Sequence, residues 1–210
     1  MRRAFVFDQS KCLSCNTCTV ACKDWNQVNP GTVRWRTAKT YETEREPIFF
    51  PLSMGCNHCA NPVCVQKCPT ASLVKRPDDG VVYVNRNTCV GCDTCVNNCP
   101  FRAPKRADDL QEPDKFKGWN TRHPMQKCSF CMDRIDKGRD PVCVESCPVF
   151  ALEMGDYDAL LVKYRAAGKD VVPLNRREFP YAYREKSEID TDPSFLIVKR
   201  GHMKFTEDIG

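Results

Sequence analysis

Cysteine supplies the reactive residues of this chain. Sixteen of its 210 residues are cysteines, and they fall into four groups of four with none left over. Cys12, Cys15, Cys18 and Cys22 follow the pattern C-x2-C-x2-C-x3-C, and Cys89, Cys92, Cys95 and Cys99 repeat it. Cys56, Cys59, Cys64 and Cys68 stretch the middle interval to x4, and Cys128, Cys131, Cys143 and Cys147 stretch it to x11. Thiols at these intervals lie on one tight loop and face a common centre, which suits the thiolate ligation of a metal cluster.

Two other chemistries use paired cysteines. A disulfide framework belongs to secreted domains shorter than this one. Structural zinc draws two cysteines from each of two knuckles, whereas here a third cysteine follows at once in two groups, then a fourth three residues on. Pro69, Pro100 and Pro148 come directly after a fourth cysteine, a place where proline suits the first turn of a helix. The run C-x2-C-x2-C-x3-C-P resembles the bacterial ferredoxin signature, in which the fourth cysteine serves the other cluster of a pair. The expected cofactors are four [4Fe–4S] clusters, and a chain of four one-electron centres reads most simply as an electron wire.

Composition agrees. Apolar residues make up 41% of the chain; without the cysteines about a third remains, against a usual share of about 45–50%. The clusters are expected to serve as core, with folding coupled to metal binding. The formal charge of +5 counts every thiol as neutral. Each oxidised cube with four thiolates carries about −2, which brings the loaded protein to about −3 and weakens a nucleic-acid reading. No apolar run approaches the ~18 residues needed to cross a bilayer. Arg2 and Arg3 precede an apolar stretch that ends at Asp8, far short of a signal-peptide core of about 7–15 residues. The expectation is a chain without its own export signal, cytoplasmic or peripheral to the membrane and exported only alongside a partner.

The elements that position the thiols repeat in an A-B-A′-B′ order. Ala4–Asp8 and Val81–Asn85 are β-like lead-ins to the first and third groups. Asn61–Pro69 aligns with Asp140–Pro148, each reading Pro-Val-Cys-Val at its centre. Such self-similarity marks a duplicated two-motif unit. The link from Cys68 to Cys89 is the shortest between groups and holds a strand after the turn Asp78-Asp79-Gly80. This pairs groups two and three and leaves one and four to each other; tandem pairing, one with two and three with four, is the alternative.

The fold expected is therefore α+β: two interlocked ferredoxin-like 2[4Fe–4S] modules with insertions and a C-terminal tail. Residues 1–22 plus 128–155 would form one module and 56–100 the other. Residues 23–55 would be an insertion, and 101–127 another, read as a surface loop. Residues 156–210 would provide a helix, capped by Asp156 and stopped by Gly168, a short strand at Phe195–Val198 and a charged tail that wraps a partner or stays loose. A short helix is expected over Met132–Lys137, ended by Gly138.

Beyond spacing, the chain resembles the iron–sulfur subunits of the dimethyl sulfoxide reductase family of molybdenum and tungsten oxidoreductases, most of all those of the reductases that name the family. The likeness covers roughly residues 1–175 and rests on the cysteine order, Ala21-Cys22-Lys23-Asp24, Ser53–Cys59, Cys92–Phe101, Cys128–Gly138 and Pro141–Pro148. It implies a non-catalytic middle subunit between a large bis-pterin molybdenum or tungsten catalytic subunit and, often, a quinone-reactive membrane subunit. An electron-transfer subunit of a soluble hydrogenase, formate-linked or hydroxylase complex is the alternative. Ligand exchange of the ferredoxin kind would give Cys12, Cys15, Cys18 and Cys147 one cluster and Cys22, Cys128, Cys131 and Cys143 a second. Cys56, Cys59, Cys64 and Cys99 would hold a third, and Cys68, Cys89, Cys92 and Cys95 a fourth.

Beside the ligands, His58 reads as a redox tuner or proton site, or as a partly exposed side chain bonded locally. Lys23, Lys67 and Lys127 each neighbour a ligand; a cation there favours the reduced cluster, and solvated lysines are the other reading. Trp25 and Trp35 could face a partner or pack on the insertion.

Overall fold

A computed structural model describes residues 1–42, 49–112, 118–185, 187 and 189–201. Its centre is a four-stranded sheet in the order β6-β1-β8-β7, built from β1 (Arg3–Asp8), β6 (Leu152–Asp156), β7 (Val171–Pro173) and β8 (Phe195–Val198). β1 runs antiparallel to β6 and parallel to β8, and β7 closes antiparallel on β8. Ala-Phe-Val-Phe in β1 and Phe-Leu-Ile-Val in β8 are unbroken apolar runs, as strands buried on both faces require, and all eight residues are buried.

Alternation divides the two faces. Phe5, Phe7, Phe195 and Ile197 turn towards the cysteine-rich core. Ala4, Val6, Leu196 and Val198 turn towards Tyr157 and Leu160 of α6 (Tyr157–Ala166). The Asp156 carboxylate caps that helix by accepting the N–H of Ala159 at 3.2 Å, and Gly168, at φ +70°, takes up the left-handed turn that ends it.

The C-terminal segment is anchored to the body where it is described. β8 lies inside the sheet, and Arg2 grips Asp192 in a 2.8 Å ion pair. Residues 202–210 of the expected tail lie outside the described residues.

Two hairpins complete the sheet structure: β2 (Thr37–Glu42) with β3 (Phe49–Met54), and β4 (Leu73–Lys75) with β5 (Val82–Val84). The first hairpin falls in the expected insertion 23–55. That insertion also packs on residues 101–127, where the surface loop was expected: Val28, Val33 and Ala107 form a small core with Trp35. Trp35 donates its indole N–H to Gln126 at 2.6 Å, and Gln111 accepts the Val33 amide at 2.9 Å. Residues 101–127 are thus part of the packed body where they are described, with Gln111, Met125, Gln126 and Lys127 buried.

Candidate iron–sulfur sites

Short helices carry the later cysteines of each motif. Cys18 and Cys22 lie on α1 (Thr17–Trp25), Cys64 on α2 (Val63–Gln66), Cys95 on α3 (Thr94–Asn98) and Cys143 on α5 (Val142–Glu145); α4 (Met132–Ile135) follows Cys131 directly. α1 packs on α5 and α2 on α3, so first-motif residues meet fourth-motif residues and second meet third. The fourth cysteines Cys68, Cys99 and Cys147 come just past a helix end, and the prolines after them lie in turns. The expected role of those prolines is corrected: they end helices, while Pro62 and Pro141 stand at the N-caps of α2 and α5.

The cluster-type loops share one backbone device. The residue before the second cysteine has positive φ in every motif: Ser14 at 55°, His58 at 43°, Gly91 at 68° and Phe130 at 61°. Three residues beyond a fourth cysteine the same conformation recurs at Ala71, Arg102 and Phe150. Left-handed residues of L configuration cost about 1–2 kcal/mol each, and they turn successive amides inward to form an anion-binding concavity. Those amides meet sulfur. Ser14 N–H donates to Cys12 Sγ and Phe130 N–H to Cys128 Sγ, both at 3.4 Å. Ala103 N–H reaches Cys99 Sγ at 3.4 Å and Ala151 N–H reaches Cys147 Sγ at 3.3 Å, the same contact four residues past the last cysteine of the third and of the fourth motif.

In space the thiols regroup. Burial raises the Cys12 pKa, opposed by the Ser14 amide, and Cys18, Cys147 and Cys15 press it further up. Cys22 is raised by burial, then by Cys128, Cys143 and Cys131. Cys59 is raised by burial, then by Cys56, Cys99 and Cys64. Cys95 is pushed up to about 12 by burial, with Cys89, Cys68 and Cys92 adding to it. These four neighbourhoods account for every cysteine. Two of them line cavities: Cys12, Cys15, Cys18 and Cys147 one, Cys56, Cys59, Cys64 and Cys99 another.

The neighbourhoods also stand in file. Cys18 of the first presses on Cys143 of the second, Cys56 of the third on Cys128 of the second, and Cys95 of the fourth on Cys64 of the third. Exposed thiols occur at the two ends only, at Cys15 and Cys92.

Burial and neighbouring thiols raise the interior thiols Cys22, Cys59, Cys64, Cys131 and Cys143, which hold their protons at neutral pH unless metal charge replaces them. Nearer the surface the Thr17 hydroxyl lowers Cys15, and at Cys68 burial is outweighed by the amides of Leu73 and Thr70, which lower it. Among the described residues no three His, Cys, Asp or Glu side chains form a group that could hold a single metal ion. Thiols spread around a volume, with amides aimed at sulfur, fit a cluster.

Several polar side chains complete the sites. Thr17 and Thr94 place hydroxyls 3.3 Å from Cys15 Sγ and Cys92 Sγ; the repeated Cys-x-Thr-Cys was there to be read. Ser53 Oγ lies 3.2 Å from Cys18 Sγ. His58 is 1% exposed, against the partly exposed side chain expected. Burial first, then Lys127 and Arg36, hold its pKa well below the ordinary 6.5, so it is neutral. Its Nδ1 accepts the Val82 amide at 3.0 Å, which leaves the ring proton on Nε2. The three lysines part company. Lys67 is exposed and bonds Asn98, Lys23 bonds the Val33 carbonyl at 2.8 Å, and Lys127 is buried with Nζ 3.3 Å from Cys56 Sγ. Trp35 is half-buried and packs on Val28, Val33 and Ala107, whereas Trp25 is 41% exposed and donates to Asp133 at 2.8 Å. Arg36, deep among the thiols, was not singled out by sequence at all.

Loops of this build and this cysteine order define a [4Fe–4S] protein of the dicluster class, and the family model for the 4Fe-4S dicluster domain matches residues 47–157. The sequence is 36% identical over 214 residues to one component of the anaerobic dimethyl sulfoxide reductase of Escherichia coli K12, covering 97% of this chain and 92% of that relative. It is 37% identical over 187 residues to one component of the tetrathionate reductase of Salmonella typhimurium, covering 83% of this chain and 68% of that relative. The iron–sulfur subunit of the nitrate-inducible formate dehydrogenase of E. coli K12 is 30% identical over 196 residues, with 85% and 62% covered. The chain belongs to the family of oxidoreductase iron–sulfur subunits that includes these three relatives, and its work is electron transfer within an oxidoreductase complex. Among the described residues no helix is long and apolar enough to cross a membrane.

Proposed function

We propose that the chain holds four [4Fe–4S] clusters in one file and passes single electrons along it, to or from a molybdenum or tungsten bis-pterin catalytic subunit. A quinol-linked membrane subunit would be the partner at the far end. A bound [4Fe–4S] cluster takes up and returns one electron while its ligands stay in place.

The observation that carries this reading is the regrouping of the thiols, with two complete sets each lining one cavity, and α1 packed on α5 and α2 on α3. Each set is electrostatically coupled to the next, with exposed thiols at the two ends. The same grouping supports the ligand sets. Cys12, Cys15, Cys18 and Cys147 hold the first cluster; Cys22, Cys128, Cys131 and Cys143 hold the second. Cys56, Cys59, Cys64 and Cys99 hold the third; Cys68, Cys89, Cys92 and Cys95 hold the fourth. Exchange of fourth ligands then ties residues 1–22 and 128–155 into one ferredoxin-like module and 56–100 into another, and the packing of α1 on α5 and α2 on α3 supports that division.

The protein's own part is to fix and insulate. Amides of Ser14, Phe130, Ala103 and Ala151 aimed at sulfur favour the more negative, reduced form. Apolar walls such as Phe7 at the first set and Phe101 at the third limit the access of water. Leu13 and Phe150 beside the first set and Val90 beside the last are exposed, which suits surfaces that a partner subunit would dry. The chain itself is not catalytic in this reading, because one-electron centres offer no place for the two-electron chemistry of a pterin-bound metal.

The test is elemental and kinetic together. The purified chain should contain about sixteen irons and as many acid-labile sulfides. It should take electrons from dithionite and pass them to dyes, and leave sulfoxides, N-oxides and oxyanions untouched. About four zincs, or turnover by the chain alone, would reject the proposal.

A further inference from the structure

Burying a charge without a partner of opposite sign costs several kcal/mol, so a buried cation identifies the anion that keeps it there. Arg36 and Lys127 are 1% and 3% exposed, and among the described residues neither makes an ion pair with a carboxylate. Each lies beside cysteines of two neighbouring sets.

Arg36 donates Nη1 to the Ser53 carbonyl at 3.0 Å and to Ser53 Oγ at 3.3 Å, and that hydroxyl lies against Cys18 Sγ of the first set. Its guanidinium covers the Phe5 ring at 4.6 Å. Its backbone adjoins Gly55, where an added Cβ would stand 3.9 Å from Arg36 Cα and 3.6 Å from Cys128 Cβ of the second set. Nε and Nη2 are buried with no hydrogen-bond partner among the described residues. Burial opposes its charge, and negative charge at Cys143, Cys128, Cys18 and Cys22, as a loaded site would carry, more than offsets that and raises its pKa.

Lys127 occupies the next interval. Its Nζ is 3.3 Å from Cys56 Sγ of the third set and 2.8 Å from the carbonyl of Cys128, a ligand of the second. It also donates to the Val82 carbonyl. The two cations thus alternate with the sets: first, Arg36, second, Lys127, third.

We infer that Arg36 and Lys127 are fixed counter-charges set between successive clusters, Arg36 raising the reduction potentials of the first and second centres and Lys127 those of the second and third. The inference rests on the four-cluster reading above. Each electron adds one negative charge to a centre, and a cation held in the low-dielectric interior stabilises that added charge far more than a solvated lysine does. Neither side chain takes part in electron transfer directly; both are positioning charges.

The pattern across four centres is the signature. In anaerobic redox titrations of the complex followed by electron paramagnetic resonance, Arg36→Gln should lower the reduction constants of two centres by at least tenfold, 59 mV for a one-electron couple. Lys127→Met should do the same to two centres, one of them shared with the Arg36→Gln pair. One centre should respond to neither variant. Arg36→Lys and Lys127→Arg, which keep the charge, should stay within threefold of the parent.

If a neutral variant fails to assemble its clusters while its charge-keeping counterpart assembles, the required feature is again the charge, and the inference stands. Neutral variants with all clusters present and potentials moved less than twofold would overturn it. So would a uniform fall at all four centres, or charge-keeping variants as damaged as the neutral ones. A parent chain with less than the full iron content would instead defeat the four-cluster reading.

Discussion

Phe5 stacks on Phe130 with ring centroids 4.1 Å apart and planes 12° from parallel. Phe5 belongs to the strand that leads into the first cysteine motif, and Phe130 stands between the first two cysteines of the fourth. The His58 ring meets Phe130 edge-on at 4.9 Å, so three of the four motifs meet at one aromatic residue. Phe130→Ala removes a fully buried ring and should cost about 3–5 kcal/mol. For a chain of this length that lowers the anaerobic melting temperature of the loaded protein by about 6–20 °C. Phe130→Leu should recover most of the loss. Equal melting of the alanine variant and the parent would show that the stack does not hold the motifs together.

Iron removal should abolish the fold. Many core positions are cysteines, the left-handed loop residues keep their strain only while a ligand offsets it, and Arg36 and Lys127 would be stranded without counter-charge. Anaerobic chelation followed by circular dichroism during heating should show no cooperative transition. A compact apo-protein with native-like dichroism would count against clusters as core.

Ligand sets can be separated by spectroscopy. Cys22→Ser and Cys128→Ser should alter the same paramagnetic centre, and Cys22→Ser and Cys64→Ser different ones. Cys22 and Cys64 acting on one centre would mean tandem pairing of the motifs.

At the opposite face of the sheet, Asp156→Ala should cost about 1 kcal/mol through loss of the α6 cap, seen as faster amide exchange at Ala159 with the cluster signals intact. The bond from Ala159 holds the Asp156 carboxyl below its ordinary pKa, helped by the Arg2 amide against some burial. A depressed carboxylate stabilises above the unfolded value of about 3.9 and loses that contribution as pH falls through the folded one. The exchange difference between parent and variant should therefore vanish in acid. A difference that grew as pH fell would contradict the cap.

Sequence revealed what is local and repeated. β1, β5, α6 and β8 were readable because an apolar run or a cap-and-glycine pair stands next to a landmark. The β2–β3 hairpin was not, since Thr37–Glu42 is polar and its partner Phe49–Met54 is interrupted by Pro51, so neither strand declares itself alone. The position of β8 was hidden for another reason: a strand's neighbours are set by tertiary packing, and nothing in Phe195–Val198 names β1. His58 and Lys127 drew notice by adjacency to cysteines, although their burial was not legible. Arg36 has no cysteine within ten residues on either side, and only the folded chain brings four thiols to it.

The central claim is that the four centres form a single path. In the assembled complex, Cys92→Ala should remove the terminal cluster and stop turnover driven by the physiological donor. Turnover driven by a reduced dye that reaches the catalytic subunit directly should continue at the parental rate. Donor-driven turnover that survives loss of that cluster would contradict the single path, and with it the reading of this chain as a four-centre wire.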